Sequence, residues 1–404
     1  MIKKILFFFF CFVIVFYNIS FCYNKVLIEK SNNYPSANKI RLSASNLKPN
    51  TYSKNIIVID RKSLNVLYEK NAYSKVAMAS TTKIMTCILA IENCRLSDNV
   101  LISKNSSKAT GSRLGLKEKS EITMNDLLYG LMLRSGNDCA IAIAEHISGT
   151  VENFIKLMNN KALELELNNT HFATPHGLDD ENHYTTAYDL SILTNYALNN
   201  PTFKKIVATK NYNIVLNNNS TNITNTNELL GIEGIYGVKT GFTFNAGRCL
   251  VTSYKINDFD IIIVVLGANT KKIRGQDTLN LIKYITSNYI YINISDTVQE
   301  IFDNYNKNFL NTIYLEKTND KPIIKLDSNY PKFIPIQTNE KNLLEAKIYM
   351  PNKLSYTINI DKPIGKLYLY NNNSLILDIN IYLEKKLRKN TWKYYFKKIF
   401  SYIS

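Results

Sequence analysis

Three short segments restrict what this chain can fold into: Ser80-Thr81-Thr82-Lys83, Ser135-Gly136-Asn137 and Lys239-Thr240-Gly241. Each falls on a different kind of element. Ile84, Cys87, Ile88 and Ile91 share one helical face, so Thr81 to Glu92 reads as a helix with Ser80 at its N-terminus. The i to i+3 spacing then sets Lys83 one turn further along, beside Ser80. A capping role also accounts for Ser80, but it leaves the other two segments unexplained. Met124 to Leu133 and Asp138 to Ile147 read as helices rich in Leu and Ile, with Ser135-Gly136-Asn137 as the break between them. A polar connector between buried helices turns its side chains into an interior cleft. Ile235 to Thr240 has strand character and ends at Gly241, where a side chain would obstruct something lying along the strand.

The remaining pattern supplies the frame. Ile56 to Asp60 and Leu64 to Tyr68, separated by Arg61-Lys62-Ser63, read as a hairpin. Residues 152–200 continue helical, interrupted at Thr174 to Leu178 and by a polar loop to Thr185. Asn211 to Asn227, rich in Asn and Thr, reads as a loop or loose hairpin. Arg248 to Tyr254 and Phe259 to Leu266 are strands around a turn at Ile256 to Asp258, and Gln276 to Tyr289 is a closing helix. Strands at both sequence ends and helices between them imply an α/β domain: one antiparallel sheet with helices plus an inserted helical subdomain, the three segments meeting in the cleft. Residues 296–382 differ. Ile313 to Glu316, Ile323 to Leu326, Ala346 to Met350, Leu354 to Ile360, Gly365 to Tyr370 and Leu375 to Ile381 predict a small all-β domain that serves as a spacer or binding module.

The chain has 404 residues, enough for two domains with full cores. Lys3 and Lys4 precede an apolar run from Ile5 to Tyr17, followed by Ser20-Phe21-Cys22, the form of an export signal over residues 1–22. An uncleaved anchor is the second reading of that run. Residues 23–45 are polar and read as a short mature leader. A net charge of +16 could point to nucleic acid, but export argues against it and favours anionic wall polymers or a membrane surface. Cys87, Cys94, Cys139 and Cys249 read as free thiols, with no CxxC pair and no zinc framework. At the other end, residues 385–404 carry Lys385, Lys386, Arg388, Lys389, Lys393, Lys397 and Lys398. On a helix, Trp392, Phe396, Ile399 and Ile403 would form one stripe and Lys386, Lys389, Lys393 and Lys397 another. That is a basic amphipathic segment suited to a membrane surface.

A serine hydroxyl needs a base to become a nucleophile. The four histidines, His146, His171, His176 and His183, carry no G-x-S-x-G or H-E-x-x-H context, and His176 reads as a loop-structuring residue. Lysine can take the part if burial and a second cation lower its pKa. Lys83 beside Ser80, with Lys239 across the cleft, provides that arrangement. Ser135 would relay a proton to the leaving amine and Asn137 would orient Lys83 and the substrate amide. The backbone N–H groups of Ser80 and Phe242 would hold the oxyanion. No metal or other cofactor is needed, and no plausible ligand set is visible.

With these segments the chain resembles the low-molecular-mass penicillin-binding proteins, the serine-type D-alanyl-D-alanine carboxypeptidases of peptidase family S11. The resemblance extends to Ala79 to Thr86, Asp126 to Leu133, Ala144 to Ile147, His183 to Ala187 with Asp189 and Leu190, and Val238 to Thr243 with Ala246 and Gly247. It implies a penicillin-binding/transpeptidase-like catalytic domain over residues 46–292, the β domain over 296–382 and a membrane-associating tail over 385–404. It implies a chemistry in which Ser80 is acylated by the penultimate D-alanine of a peptidoglycan stem peptide, terminal D-alanine leaves and water releases the enzyme. β-Lactams would acylate the same serine. The substrate's terminal carboxylate would be held by the Thr240-Gly241-Phe242 strand and by Arg274. The family's glycine before that arginine is Ile273 here, and its proline before Ala79 is Met78. Arg248 is the second candidate for the clamp. Three alternatives remain at this stage: a DD-endopeptidase using the same chemistry, a class A-like β-lactamase with Glu181 as second base, and a non-catalytic wall-binding scaffold.

Overall fold

Ile and Val fill the strand Phe259–Ala268, which runs buried through the middle of a five-stranded sheet. The order across the sheet is Val66–Lys70, Asn55–Asp60, Phe259–Ala268, Gly247–Ile256, Ile235–Thr243, and every neighbouring pair is antiparallel. The register sets Val264 opposite both Ile57 and Val251, and both faces of the central strand are covered. The structure, a computed structural model, describes residues 26–30, 48–216, 219–338 and 344–400. The expected export signal and most of the expected leader lie outside them.

Between the second and the last three strands of this sheet the chain is helical: Lys83–Asn93, Met124–Leu133, Asn137–Ser148, Val151–Glu164, Ala187–Leu198 and Pro201–Ala208. Their apolar faces and the sheet share one core, in which Ile84, Leu131, Phe154 and Phe203 are buried with Val264. Side-chain caps set several of the starts. Thr123, Thr150 and Thr186 accept from the backbone N–H three residues on, and Asn200 does the same ahead of Pro201. The sheet assembled from both sequence ends and the helical insertion are as the sequence implied.

Three local readings change. The helical stretch expected over 152–200 breaks earlier, at Leu165, and residues 165–186 are irregular, with Glu166 in the left-handed region at φ +55°. The stretch read as a loop or loose hairpin holds two regular antiparallel strands, Asn211–Leu216 with Asn219–Thr224. The last helix begins at Lys271 instead of Gln276, because Thr270 caps it by accepting from Ile273 N at 3.1 Å. Arg274 therefore sits in a first helical turn.

That helix is tied to the start of the sheet by Asp277, whose carboxylate accepts from Tyr52 N, from Ser53 N at 2.7 Å and from Ser53 Oγ. Asp277 and Ser53 are fully buried.

The chain divides into two compact units, and the boundary falls at Tyr289. The second unit holds the described residues from Ile290 on, together with Val26–Lys30. Those five residues, within the expected leader, form a strand parallel to Leu344–Met350. They edge a five-stranded sheet continued by Gly365–Asn371, Ser374–Leu383 and Ile324–Leu326. This unit is not all-β as expected. Ser295–Asn308 is a helix that buries Val298, Ile301, Phe302 and Tyr305, a helical spacing inside a stretch read for strands. Phe333–Gln337 is a strand despite Pro335, tolerated because it belongs to a two-stranded pair. The expected strand over 354–360 shrinks to Lys353–Ser355.

The basic tail also changes. Among the described residues of the tail only Trp392–Phe400 is helical. Residues 385–390 form no regular element and pack on their own unit: Leu387 is buried, and the Arg388 guanidinium and N–H bond Asp320. Lys386 and Lys389 are thus not part of the helix. Trp392, Tyr395, Phe396 and Phe400 remain exposed on it, with the Trp392 and Phe396 rings 5.9 Å apart. Among the described residues no helix is long and apolar enough to cross a membrane.

Removing the Asp277 carboxylate would leave the buried Ser53 N–H and hydroxyl without an acceptor. Asp277→Ala is therefore expected to lose about 2–4 kcal/mol, read as a lower urea midpoint. An unchanged midpoint would refute the anchoring role.

Candidate active site

Ser80 lies in a 3-10 turn, Ala79–Thr82, that leads into the Lys83–Asn93 helix. The turn is strained and braced. Ala79 takes a left-handed conformation, φ +49°, which an alanine adopts at a cost of about 1 kcal/mol. Thr81 Oγ1 donates to Met78 O at 2.6 Å and Thr82 Oγ1 to Ala79 O at 2.8 Å. Gly177, at φ +90°, packs so closely that a Cβ there would stand 1.9 Å from Ala79 O. On the other side a Cβ on Gly241 would meet Ala79 Cβ at 3.1 Å and Ser80 N at 3.2 Å. Gly241 is thus needed for the approach of the nucleophile turn. The strand does not end there but continues to Thr243.

Lys83 is completely buried, and its Nζ has three partners: Ser80 Oγ at 2.9 Å, Asn137 Oδ1 at 2.7 Å and His176 O at 2.7 Å. Burial, then the nearby Lys239 charge, holds the lysine well below its ordinary pKa. A neutral amine has two N–H groups and one lone pair. Two of the partners are carbonyl oxygens that can only accept. They take the two N–H groups, and the lone pair is left facing the hydroxyl of Ser80. Asn137 is oriented for this by its own bonds: Nδ2 donates to Thr110 O at 2.6 Å, and its backbone N to Ser112 O at 2.7 Å. The 110–116 loop that offers these carbonyls is held by Asp138, which accepts from Leu114 N, Gly115 N and Leu116 N.

Across the cleft, buried Lys239 donates to Ser135 Oγ at 3.0 Å and to Thr240 O at 3.0 Å. Burial, with the Arg274 charge second, brings its pKa down to about 7. Ser135 is itself left-handed, φ +60°, which turns its hydroxyl from the interhelical break toward the strand. Thr240 Oγ1 lies 2.7 Å from Thr226 Oγ1. Ser80, Lys83, Ser135, Asn137, Lys239 and Thr240 are thus gathered along an edge strand, with Phe242 two residues beyond Thr240 and 43 % exposed.

Arg274 reaches the same neighbourhood but is already engaged. Its guanidinium donates to Glu228 Oε1 and Oε2 at 2.6 and 2.7 Å and to Cys249 O at 3.2 Å. Gly275, which inverts the family's glycine–arginine order, makes only ordinary contacts, so the inversion imposes no steric demand. The second candidate, Arg248, stacks its guanidinium 3.7 Å over the Phe242 ring.

The sequence reading missed the part played by histidine. His183 Nδ1 accepts from Ala173 N at 2.9 Å, so Nε2 carries the proton and donates to Thr82 Oγ1 at 2.7 Å. Burial keeps the ring neutral, its pKa down at about 4. His183 therefore braces the nucleophile turn. His176 contributes its carbonyl to Lys83, while burial, then the Lys83 charge, brings its ring pKa to about 3. Asp138 and Glu228 were also missed; only Asp138, next to Asn137 in a helix first turn, carried a local signal. Among the described residues Cys87, Cys94, Cys139 and Cys249 are free.

A serine hydroxyl 2.9 Å from a buried lysine of lowered pKa, set between a helical subdomain and an edge strand, defines a lysine-activated serine acyl-transfer site. Residues 42–270 match the family model of D-alanyl-D-alanine carboxypeptidase, peptidase S11, and the chain belongs to that family. It is 32 % identical over 347 residues to the D-alanyl-D-alanine carboxypeptidase DacF of Bacillus subtilis, covering 83 % of this chain and 86 % of the relative. It is 36 % identical over 251 residues to DacC of Escherichia coli, covering 58 % and 62 % of the two chains. Among solved structures, penicillin binding protein 5 from Haemophilus influenzae superposes with a TM-score of 0.70 at 25 % identity, over 85 % of this chain and all (100 %) of that one. The Streptomyces K15 DD-transpeptidase does so with a TM-score of 0.57 at 32 % identity, over 59 % and 98 %.

The burial of Lys239 has a signed consequence. Its ordinary pKa is 10.5 and its folded value about 7, so between those values the folded chain binds fewer protons than the unfolded one. Stability from this group therefore rises with pH across that window, and below about pH 7 the full cost of a buried cation is felt. Lys239→Met is expected to be more stable than the parent at pH 7 by roughly 1–4 kcal/mol. That advantage should shrink by pH 10, read from paired denaturation midpoints. An advantage that grew with pH would contradict the assignment.

Proposed function

We propose that this chain is a serine-type D-alanyl-D-alanine carboxypeptidase that trims peptidoglycan stem peptides through an acyl-enzyme on Ser80. The observation that carries the reading is the hydrogen-bond set of Lys83, which holds Nζ 2.9 Å from Ser80 Oγ between Asn137 Oδ1 and the His176 carbonyl. Ser80 Oγ attacks the carbonyl of the penultimate D-alanine while its proton passes to Lys83 Nζ. The oxyanion rests on the N–H groups of Ser80 and Phe242. When the peptide C–N bond breaks, the proton held on Lys83 passes by way of Ser135, which is hydrogen-bonded to Lys239, to the leaving amine, and Lys83 is again a neutral base. Asn137 keeps Lys83 and the substrate amide in register. Water then attacks the ester, giving its proton to Lys83, and Ser80 is restored. The substrate extends along the edge strand at Thr240, Gly241 and Phe242, adding itself to the sheet. Arg274, beside Lys239, receives its terminal carboxylate. β-Lactams follow the same route to a stable ester.

The purified protein is expected to release D-alanine from a stem pentapeptide, and mass spectrometry after β-lactam treatment should place the adduct on Ser80. Lys83→Met should slow acylation by about 10²–10⁴-fold. An adduct elsewhere, or folded protein that releases no D-alanine, would overturn the reading. Product analysis on cross-linked muropeptides separates carboxypeptidase from endopeptidase action.

The enzyme works at the outer face of the cytoplasmic membrane, held peripherally by its tail. Support comes from the exposed rings of Trp392, Tyr395, Phe396 and Phe400 on one short helix among lysines, a composition suited to a lipid–water interface. Leu387 and Arg388 are packed on their own unit, so a chain ending at Asn390 keeps that packing. Such a truncation should leave anionic vesicles for the soluble fraction in a sedimentation assay with its melting temperature unchanged. Retention on the vesicles would show that the tail is not the anchor.

A further inference from the structure

Arg274 presents an asymmetry. Its guanidinium is buried, 3 % exposed, and fixed by its bond to Cys249 O, whereas the Glu228 side chain that holds its other end is 40 % exposed. Both carboxylate oxygens of Glu228 lie on Nη2, at 2.6 and 2.7 Å. The buried Nε has no hydrogen-bond partner, so the guanidinium keeps a donor in reserve that another acceptor would satisfy. A carboxylate thus already occupies the Nη2 end of Arg274.

The position of Glu228 is set by the strand that flanks the cleft. Asn227 Nδ2 donates to Gly237 O at 3.0 Å and its Oδ1 accepts from Leu229 N at 3.1 Å. Thr226 Oγ1 meets Thr240 Oγ1 at 2.7 Å. Residues 226–229 are therefore stitched to the same strand that carries Thr240. The Glu228 backbone stays fixed while its half-exposed side chain is free to rotate into solvent.

We infer that Glu228 is a specificity-determining residue: it competes with the substrate's terminal carboxylate for Arg274 and so weakens the preference for peptides that end in a free acid. With Glu228 in place, the local charge on Arg274 is already balanced, and an incoming carboxylate must displace a like charge. Glu228 acts through Arg274, as a positioning residue, and touches neither Ser80 nor Lys83 in the structure. The inference rests on the carboxypeptidase reading and on Arg274 as the clamp.

The test compares an N-acylated stem peptide ending in D-Ala-D-Ala with its C-terminal amide, measuring KM and kcat for the full-length parent, Glu228→Gln, Glu228→Ala, Arg274→Gln and the Glu228→Gln/Arg274→Gln double variant. Melting temperatures establish that each is folded. Glu228→Gln is expected to lower KM for the acid about tenfold with little change in kcat, and to raise the acid-to-amide ratio of kcat/KM by the same factor. Glu228→Ala should act in the same direction. In the double variant the gain should vanish, since without Arg274 nothing remains to be competed for. A ratio that stays constant or falls in both Glu228 variants overturns the inference. If Arg274→Gln alone leaves the ratio unchanged while the Ser80 adduct still forms, the clamp assignment fails and the inference with it. If the parent releases product from neither peptide, the carboxypeptidase reading fails instead.

Discussion

Everything in this site follows from the decision to bury an amine. A lysine sealed between a helix and the underside of a loop cannot easily keep its charge, because the interior has too little polarity to replace its hydration shell. At Lys83 burial, then the Lys239 charge, pushes the pKa well below its ordinary value, which favours the neutral amine, and a neutral amine is a base. The cost of desolvation, which elsewhere would be a liability, thus becomes the source of reactivity. Lys239 raises the penalty on Lys83 through like charge and is itself held down by burial and then by Arg274, so the cations act together instead of as independent groups. Their titration belongs to the set.

The remaining architecture keeps that amine dry and aimed. Asn137 and the carbonyl of His176 absorb its two hydrogens, Asp138 fixes the loop that fixes Asn137, and His183 braces the turn that offers Ser80. Histidine, the usual base for a serine nucleophile, is present here as scaffolding: one ring is kept neutral and locked in a single tautomer, and another residue lends its main chain. A serine enzyme built this way is insensitive to the protonation of imidazole over the range where histidine enzymes switch on and off.

The sheet built from both sequence ends, the helical insertion and the gathering of Ser80, Lys83, Ser135, Asn137, Lys239 and Thr240 were legible because each depends on local periodicity or on a short fixed spacing. What escaped depends on partners distant in sequence. Glu228 and Arg274 are 46 positions apart, and neither has a neighbour that announces the other. His183 braces Thr82 across 101 positions. The helix Ser295–Asn308 had a readable pattern, Val298, Ile301, Phe302 and Tyr305, that was obscured by the strand-like segments following it. The tail misled for a different reason: a basic stripe can be drawn through residues 386–397 on paper, but Leu387 buries and Arg388 finds Asp320, and the helix starts only at Trp392.

The strand Ile235–Thr243 lies at the margin of its sheet, and a margin left open for a peptide is equally open to another molecule of the same protein. Sheet edges of this kind nucleate aggregation unless something interrupts them. At the middle of this edge Lys239 is turned inward and buried, with Ser135 Oγ and Thr240 O as its partners, so a strand laid alongside would meet backbone groups and not the amine. A peptide and a second copy would therefore compete for the same row of backbone groups, and occupancy of the edge by one excludes the other.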